Sequence, residues 1–380
     1  MEKDIIIIGG GPSGLSTALH LQQLSPELAK RVLILEKKQY PRPKLCAGGL
    51  VADAEYLLEK LGLDVSEVPH VDSRAVHFDF EGKGMTIRLP GTQRLRVIRR
   101  DEFDAWLAGK AYLRGIEIRQ DVTVKTLKAD ESGVILETDQ GPFRAKIVVG
   151  ADGSNGVVRR AILPGEPVHT ARVLEVLALP NPRSQHTKKE SYFEFSPVID
   201  GIAGYTWDFP TQLNGQPMQC WGIYDTNMAA EVQRPPFKES LAAEMAKFGY
   251  DLAESELKGH PIRWFHPRSQ VSAPRVLLVG DAAGADPLFG EGISMALGYG
   301  KLAARQILDA FTQNDFEFSG YHGRLMRSPL GQTLFVRWFI ARVIYKLRWR
   351  WFHIFLWRMF KPVVLLAAWI FVLNWARRMK

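Results

Sequence analysis

The sequence predicts an α/β protein with three parts: a Rossmann-like dinucleotide-binding domain, an inserted antiparallel-sheet domain and a helical C-terminal tail. Three observations lead there. Ile5-Ile6-Ile7-Ile8-Gly9-Gly10-Gly11-Pro12-Ser13-Gly14 is an apolar strand running into a glycine-rich turn and a helix. Far downstream, Arg275-Val276-Leu277-Leu278-Val279 is a second buried strand, closed by Gly280-Asp281-Ala282-Ala283-Gly284. Residues 318–380 hold twelve Lys or Arg, no Asp or Glu, and six of the ten tryptophans.

The first stretch has the geometry for a dinucleotide pyrophosphate. Gly9 allows the tight turn, Gly11 lets the backbone approach the phosphates, and Gly14 lets the helix pack on the strand. The phosphate charge rests on the free N–H groups and positive dipole end of that helix. Glu36 closes the next strand, Arg31-Val32-Leu33-Ile34-Leu35-Glu36, where an acid takes ribose hydroxyls.

The late Gly280-Asp281 element resembles the ribityl-binding motif of FAD proteins of the para-hydroxybenzoate hydroxylase superfamily. Ile147-Val148-Val149-Gly150-Ala151-Asp152-Gly153-Ser154 resembles that superfamily's middle Asp-Gly motif, and Arg100, Phe103 and Asp104 fit its R-x-x-F-D helix start. The resemblance covers residue 4 to about residue 300 and implies FAD in a GR2-type FAD-binding domain. A nicotinamide-binding Rossmann domain would not need the late element. The cofactor-binding residues it implies are Gly9, Gly11, Pro12, Ser13, Gly14, Glu36 and Lys37 at the first turn. Lys44, Cys46, Ala47, Gly48, Arg100, Val124, Asp152 and Gly153 come next, then Gly280, Asp281, Pro287, Gly290, Gly292 and Ile293.

At 380 residues the chain suits two domains plus an appendage. The FAD-binding domain is expected from residues 1–70, 98–170 and 272–315, the substrate-binding domain from 71–97 and 171–271, and the tail from 316–380. Val76, Phe78 and Phe80 alternate with His77 and Asp79 as in a half-buried strand. A helix is expected over 101–113, strands over 116–127 and 133–150, and a helix from Gly292 towards Phe311. The first strand begins by residue 4, which leaves no room for a signal peptide. Two cysteines exclude a disulfide framework and fit a reducing compartment. Scattered histidines and the lack of a C-x-x-C give no metal site.

The formal charge of +8 belongs to the tail, since the other 317 residues hold 37 basic and 41 acidic side chains. Basic residues mixed with tryptophan suit nucleic acid or a membrane surface. Pro362 to Ala376 carries no charge, for which nucleic acid has no use. It is shorter than the roughly 20 residues of a spanning helix. The expectation is a re-entrant or interfacial helix with Arg377, Arg378 and Lys380 at the headgroups, on the cytoplasmic side, peripheral or monotopic. Thr333 to Lys361 is expected as a second helical piece with Arg342, Lys346 and Arg350 on one face. A helix docked on the body or on a dimer partner is the alternative.

Tyr40-Pro41-Arg42-Pro43-Lys44-Leu45-Cys46-Ala47-Gly48-Gly49-Leu50 resembles the P-R-x-K-x-C-G-G-G segment of the geranylgeranyl reductase family, with Ala47 replacing the first glycine. Tyr205-Thr206-Trp207-Asp208-Phe209-Pro210 matches its Y-x-W-x-F-P substrate motif. On a strand Tyr205, Trp207 and Phe209 share one face, and with Pro210 they form the substrate-binding set. Such a wall suits a long apolar prenyl chain, although alternating aromatics also build plain sheet cores. The resemblance implies saturation of isolated prenyl double bonds, with Cys46 as acid or relay and Glu291 in reserve. Electrons come from NAD(P)H or ferredoxin, either through a shared cleft or from a redox partner, since the chain has one nucleotide-binding turn. The substrate is a prenyl lipid, quinone or pigment. The alternative is an FAD-dependent monooxygenase or hydroxylase of an apolar or aromatic substrate, whose relatives carry His where this chain has Gly284. A halogenase and a subunit holding FAD structurally are further alternatives.

Overall fold

The computed structural model describes residues 1–88, 95–182, 189–367 and 373–379. The strand Glu2–Ile8 lies at the centre of an eight-stranded sheet. It pairs in parallel with Val32–Leu35 on one side and Gly141–Gly150 on the other. Glu117–Arg119 and Val276–Leu278 extend the parallel array at either flank. Ile5, Ile6 and Ile7 are all fully buried, so the strand reads as an unbroken apolar run instead of an alternation. The helices Pro12–Leu24 and Ile293–Gln313 pack side by side, pinned where Ser16 Oγ donates to the Leu297 carbonyl at 2.8 Å. The first and last motifs are thereby brought to the same end of the sheet.

The strand expected over 116–127 is two strands. Glu117–Arg119 ends before Asp121, whose φ of +59° turns the chain, and Val124–Asp130 then forms a hairpin with Gly133–Thr138.

A second sheet has seven strands, drawn from residues 75–88 and 170–263. Gly204–Leu213 and Gln216–Asp225 form its central hairpin, and Thr170–Ala178 pairs with the latter. Ala75–Phe80 is covered on both faces, not half-buried as its alternation suggests. His77 stacks on Tyr192 at 5.4 Å, and Asp79 is buried beside His77.

The tail is docked over much of its length. Ser328 caps the helix Pro329–Lys346 by accepting the Gly331 N–H, and Pro329 pre-sets its first turn. The chain breaks at 347–349, so Arg350 opens a separate helix, Arg350–Ile354, and does not share a face with Arg342 and Lys346. Arg337 is buried and Trp357 packs into the second sheet's core.

The apolar run gives the helix Lys361–Ala367. Trp369, Ile370, Phe371, Val372 and Lys380 lie outside the described residues. Trp375 and Ala376 are fully buried against the body. The Asp53 carboxylate accepts the N–H groups of Asn374 and Ala376 at 2.9 and 2.8 Å. Arg377 sits over the Tyr56 ring, and Arg378 reaches towards Thr333. No helix among the described residues is long and apolar enough to cross a membrane.

Candidate active site

One cavity of about 940 Å³ runs from the glycine-rich turn to the aromatic face of the second sheet. At its polar end, Gly9 sits at φ +106°, and a Cβ there would fall 2.3 Å from the Ala151 carbonyl oxygen. Only glycine fits this crossing of the first turn and the middle motif. The helix Pro12–Leu24 begins with no side-chain cap and no acid in its first turn. A helix that starts this way offers first-turn N–H groups to an anion, and Gly11, Pro12 and Ser13 line the cavity there. Asp152 is half-buried, accepts the Val158 N–H with one carboxylate oxygen, and has no hydrogen-bond partner for the other, inward-facing one among the described residues. An open helix N-terminus, a cradle closed to side chains and an orphaned acceptor fit a dinucleotide.

Glu36 lines the cavity with its carboxylate anchored by the Gly10 and Lys38 N–H groups at 2.9 and 3.1 Å. Arg42 lies 3.4 Å from Glu36 and 3.3 Å from Asp104. Asp104 accepts two hydrogen bonds from Arg100, at 2.9 and 3.0 Å. The four side chains form one buried charge chain that fixes the cavity's rim. Lys44 Nζ lies 2.7 Å from His260 Nε2. Burial and the Lys44 charge push His260 down to about 4, so the neutral ring accepts from the ammonium.

Of the implied cofactor residues, Gly11, Pro12, Ser13, Lys37, Ala47, Gly48, Val124, Gly153, Asp281, Gly290, Gly292 and Ile293 also line the cavity. Gly14, Gly280 and Pro287 do not. Gly14 faces the Gly9 carbonyl and Gly280 faces Ser13, both as close-packing positions, and the Pro287 carbonyl accepts from Tyr224 Oη at 3.2 Å.

At the apolar end, Tyr205, Trp207 and Phe209 line the cavity together. Pro210 does not, because it follows Phe209 by one residue and so points to the opposite face of the strand. Trp207 lies flat over Gly222, where a Cβ would be 2.1 Å from its ring. Phe193 packs 5.2 Å from Tyr205 and 5.1 Å from Phe209, and Phe78 stacks on Phe193 at 5.2 Å. Trp357 of the tail stacks behind them on Phe195 at 4.3 Å.

Cys46 lies between the two ends, half-buried, with its Sγ accepting the Gly48 N–H at 3.4 Å. Glu291 lines the cavity too, but its carboxylate is committed to Arg337 at 2.6 Å and to the Ser294 hydroxyl.

Four features escaped sequence reasoning: Arg42, Arg337, the second row of aromatics and Glu175. Glu175 is the one acid in Val173-Leu174-Glu175-Val176-Leu177-Ala178, and that solitary carboxyl in an apolar strand was the available signal. It lines the cavity almost fully buried, and burial pushes its carboxyl up to about 7.

The fold and the polar end define a flavoprotein. The chain belongs to the FAD binding domain family, which matches residues 2–300, and it is an FAD-dependent oxidoreductase similar to geranylgeranyl reductases. Among its relatives, digeranylgeranylglycerophospholipid reductase 3 of Methanosphaera stadtmanae is 26% identical over 83% of this chain and 79% of that protein. The menaquinone reductase of Mycolicibacterium smegmatis is 27% identical over 80% of this chain and 76% of its own length. A geranylgeranyl bacteriochlorophyll reductase-like protein from Thermoplasma acidophilum shares the fold, with a TM-score of 0.74 and 20% identity over 91% of this chain and 88% of that one.

Proposed function

We propose that this oxidoreductase saturates isolated C=C bonds of a prenyl chain, of geranylgeranyl type, carried on a membrane lipid, quinone or pigment. The observation that carries the reading is the single cavity joining the dinucleotide cradle to a wall of aromatic rings. FAD, when bound and reduced, supplies the hydride.

The chain's own residues have three tasks. Tyr205, Trp207, Phe209 and Phe193 give a long apolar substrate a dry surface and exclude water. An unactivated alkene takes up hydride only with acid assistance, and protonation at the less substituted carbon develops positive charge on the tertiary one. The faces of Trp207 and Tyr205 are suited to ease that charge. Cys46 is the thiol that hands over the proton, and a Cys46→Ser enzyme keeping full turnover with bound FAD removes it from the chemistry.

The hydroxylase alternative loses support at Gly284. Its φ of +131° and the Phe265 Cα 2.6 Å from a would-be Cβ leave no room for the histidine of those relatives.

The reading includes a membrane surface as the working place. Phe339, Trp349, Trp351, Met359, Val363 and Leu366 are exposed along the tail near Arg342, Lys346 and Arg350. Large apolar side chains beside cations suit an interface, on the cytoplasmic side and peripheral or monotopic. The FAD-binding part is read as 1–70, 98–170 and 272–315, with the substrate part as 71–97 and 171–271. Electrons come from NAD(P)H or ferredoxin.

The test is anaerobic reduction of the FAD-loaded protein with dithionite, then addition of extracted membrane prenyl lipids. Flavin reoxidation with products heavier by two hydrogen atoms supports the reductase. Flavin that stays reduced until oxygen arrives, then yields a product heavier by one oxygen, overturns it in favour of a monooxygenase.

A further inference from the structure

Glu175 sits where no packing need explains it. The antiparallel register places it opposite Gly222, which in turn faces Trp207, so the three lie in one row across the sheet. Trp207 occupies the space over Gly222, which sets the carboxyl beside the indole that lines the apolar chamber. On its other flank the backbone N–H of Cys46 lies close enough to favour the charged form. One oxygen, Oε2, is buried with no hydrogen-bond partner among the described residues.

The groups facing it from neighbouring elements are Arg99, Lys258 and the thiol of Cys220. Neither cation bonds to it, and the Lys258 ammonium instead pairs with Glu256 at 2.8 Å. An ionised carboxylate left unpaired in such a place would carry a large desolvation penalty, so the neutral acid is the stable form.

We propose that Glu175 is the proton store of this site, recharging Cys46 after each reduction. The inference rests on the prenyl-reductase reading. In the reaction the S–H bond of Cys46 breaks and a C–H bond forms at the less substituted alkene carbon. A bound, reduced FAD would supply the hydride for the second C–H bond at the tertiary carbon and would itself be oxidised by two electrons in place. The Cys46 thiolate then takes the proton from the Glu175 O–H, and the carboxylate is reprotonated from solvent. Burial holding Glu175 at about 7 leaves roughly half of the molecules protonated at neutral pH, so the group both holds and releases a proton there.

The experiment uses the FAD-loaded full chain and Glu175→Gln, which keeps shape and polarity, with Glu175→Asp as the conservative rescue. Infrared difference spectra across a pH titration, without substrate, are expected to show a carboxylic-acid C=O band titrating near neutrality, present in the wild type and missing in E175Q. Steady-state reduction of prenyl lipid is expected to fall roughly 100-fold in E175Q with FAD still bound. The alkaline limb of the wild-type pH profile is expected to vanish with it, and E175D to restore part of both. Wild-type turnover and pH limb in E175Q would overturn the proposal, as would an infrared titration showing Glu175 ionised throughout. If E175Q loses FAD or unfolds, the wild-type and E175D spectra decide. A wild-type enzyme that reduces no prenyl lipid overturns the parent reading instead, and the substrate-free spectra still report whether Glu175 holds a proton.

Discussion

Arg337, on the tail helix, donates to the Asp286 carboxylate at 2.8 Å, and both side chains are shut off from solvent. The same guanidinium group reaches Glu291 in the cavity wall. Asp286 also accepts the Leu288 N–H at 2.7 Å, so it orders the loop that precedes the long helix. The tail is thus wired into the segment on which Phe289, Gly290 and Gly292 face the cavity.

Arg337→Met tests that wiring. Removing one partner strands a fully buried carboxylate, which costs about 3–5 kcal/mol. A lowered unfolding midpoint together with weaker FAD retention is expected. Loss of stability with FAD binding unchanged would separate the tail from the cofactor loop.

Asp208 gives a pH signature of its own. It is buried beneath the substrate strand with Gln219 Nε2 as its donor, and burial pushes its carboxyl up to about 8. Between the ordinary carboxylate range and about 8, the folded chain keeps this proton while the unfolded chain has lost it. Stability therefore falls as pH rises through that window, with a slope approaching ~1.4 kcal/mol per pH unit from this group. Asp208→Asn does not titrate. Its unfolding midpoint is expected to match the wild type near pH 4 and exceed it increasingly towards pH 8. A difference independent of pH would refute the buried neutral acid.

What sequence reasoning reached and missed follows physical lines. The strand, the glycine turn and the late Gly280-Asp281 element are local in sequence, and each has one geometry that suits it, so their placement at one sheet end was legible. The aromatic face of Tyr205, Trp207 and Phe209 followed from the two-residue period of a strand. Pro210 was misassigned because a motif letter carries no face, whereas the pleat does. The docking of part of the tail on the body was out of reach for a different reason. Arg337 and Trp375 look like membrane residues until their partners, Asp286 and the surface around Gly298, are brought from remote parts of the chain. Partners that distant leave no periodic trace. Glu175 was visible as an anomaly, but its meaning depended on a cavity that only the assembled sheet creates.

Gly222 offers a clean separation of the two ends of the cavity. Gly222→Ala places a methyl group in the ring of Trp207, and such overpacking costs about 1–3 kcal/mol. Trp207 must rotate into the chamber. Prenyl-lipid turnover is expected to fall at least ten-fold, with KM raised, while the flavin spectrum and FAD affinity stay as in the wild type. If FAD binding falls equally, the aromatic wall and the cradle are one cooperative unit instead of two.

The tail's exposed face yields the last prediction. Trp349 and Trp351 are 73% and 78% exposed, a large apolar surface to leave in water. Arg342, Lys346 and Arg350 lie nearby with no compensating acid anywhere in residues 318–380. Arg350 is the exception in being paired, to Glu81 at 2.7 Å. Burying one such aromatic side chain in an interface is worth about 1.5–3 kcal/mol, and each 1.4 kcal/mol is ten-fold in binding. The wild type is expected to float with anionic phospholipid vesicles, and more weakly as salt screens the cations. Trp349→Ala with Trp351→Ala should cut the vesicle-bound fraction at least ten-fold. The double variant should then lose turnover on vesicle-embedded substrate but keep it on detergent-dispersed substrate, because neither tryptophan lines the cavity. Equal loss in both formats would place these side chains in the stability of the tail and leave the membrane out of the account.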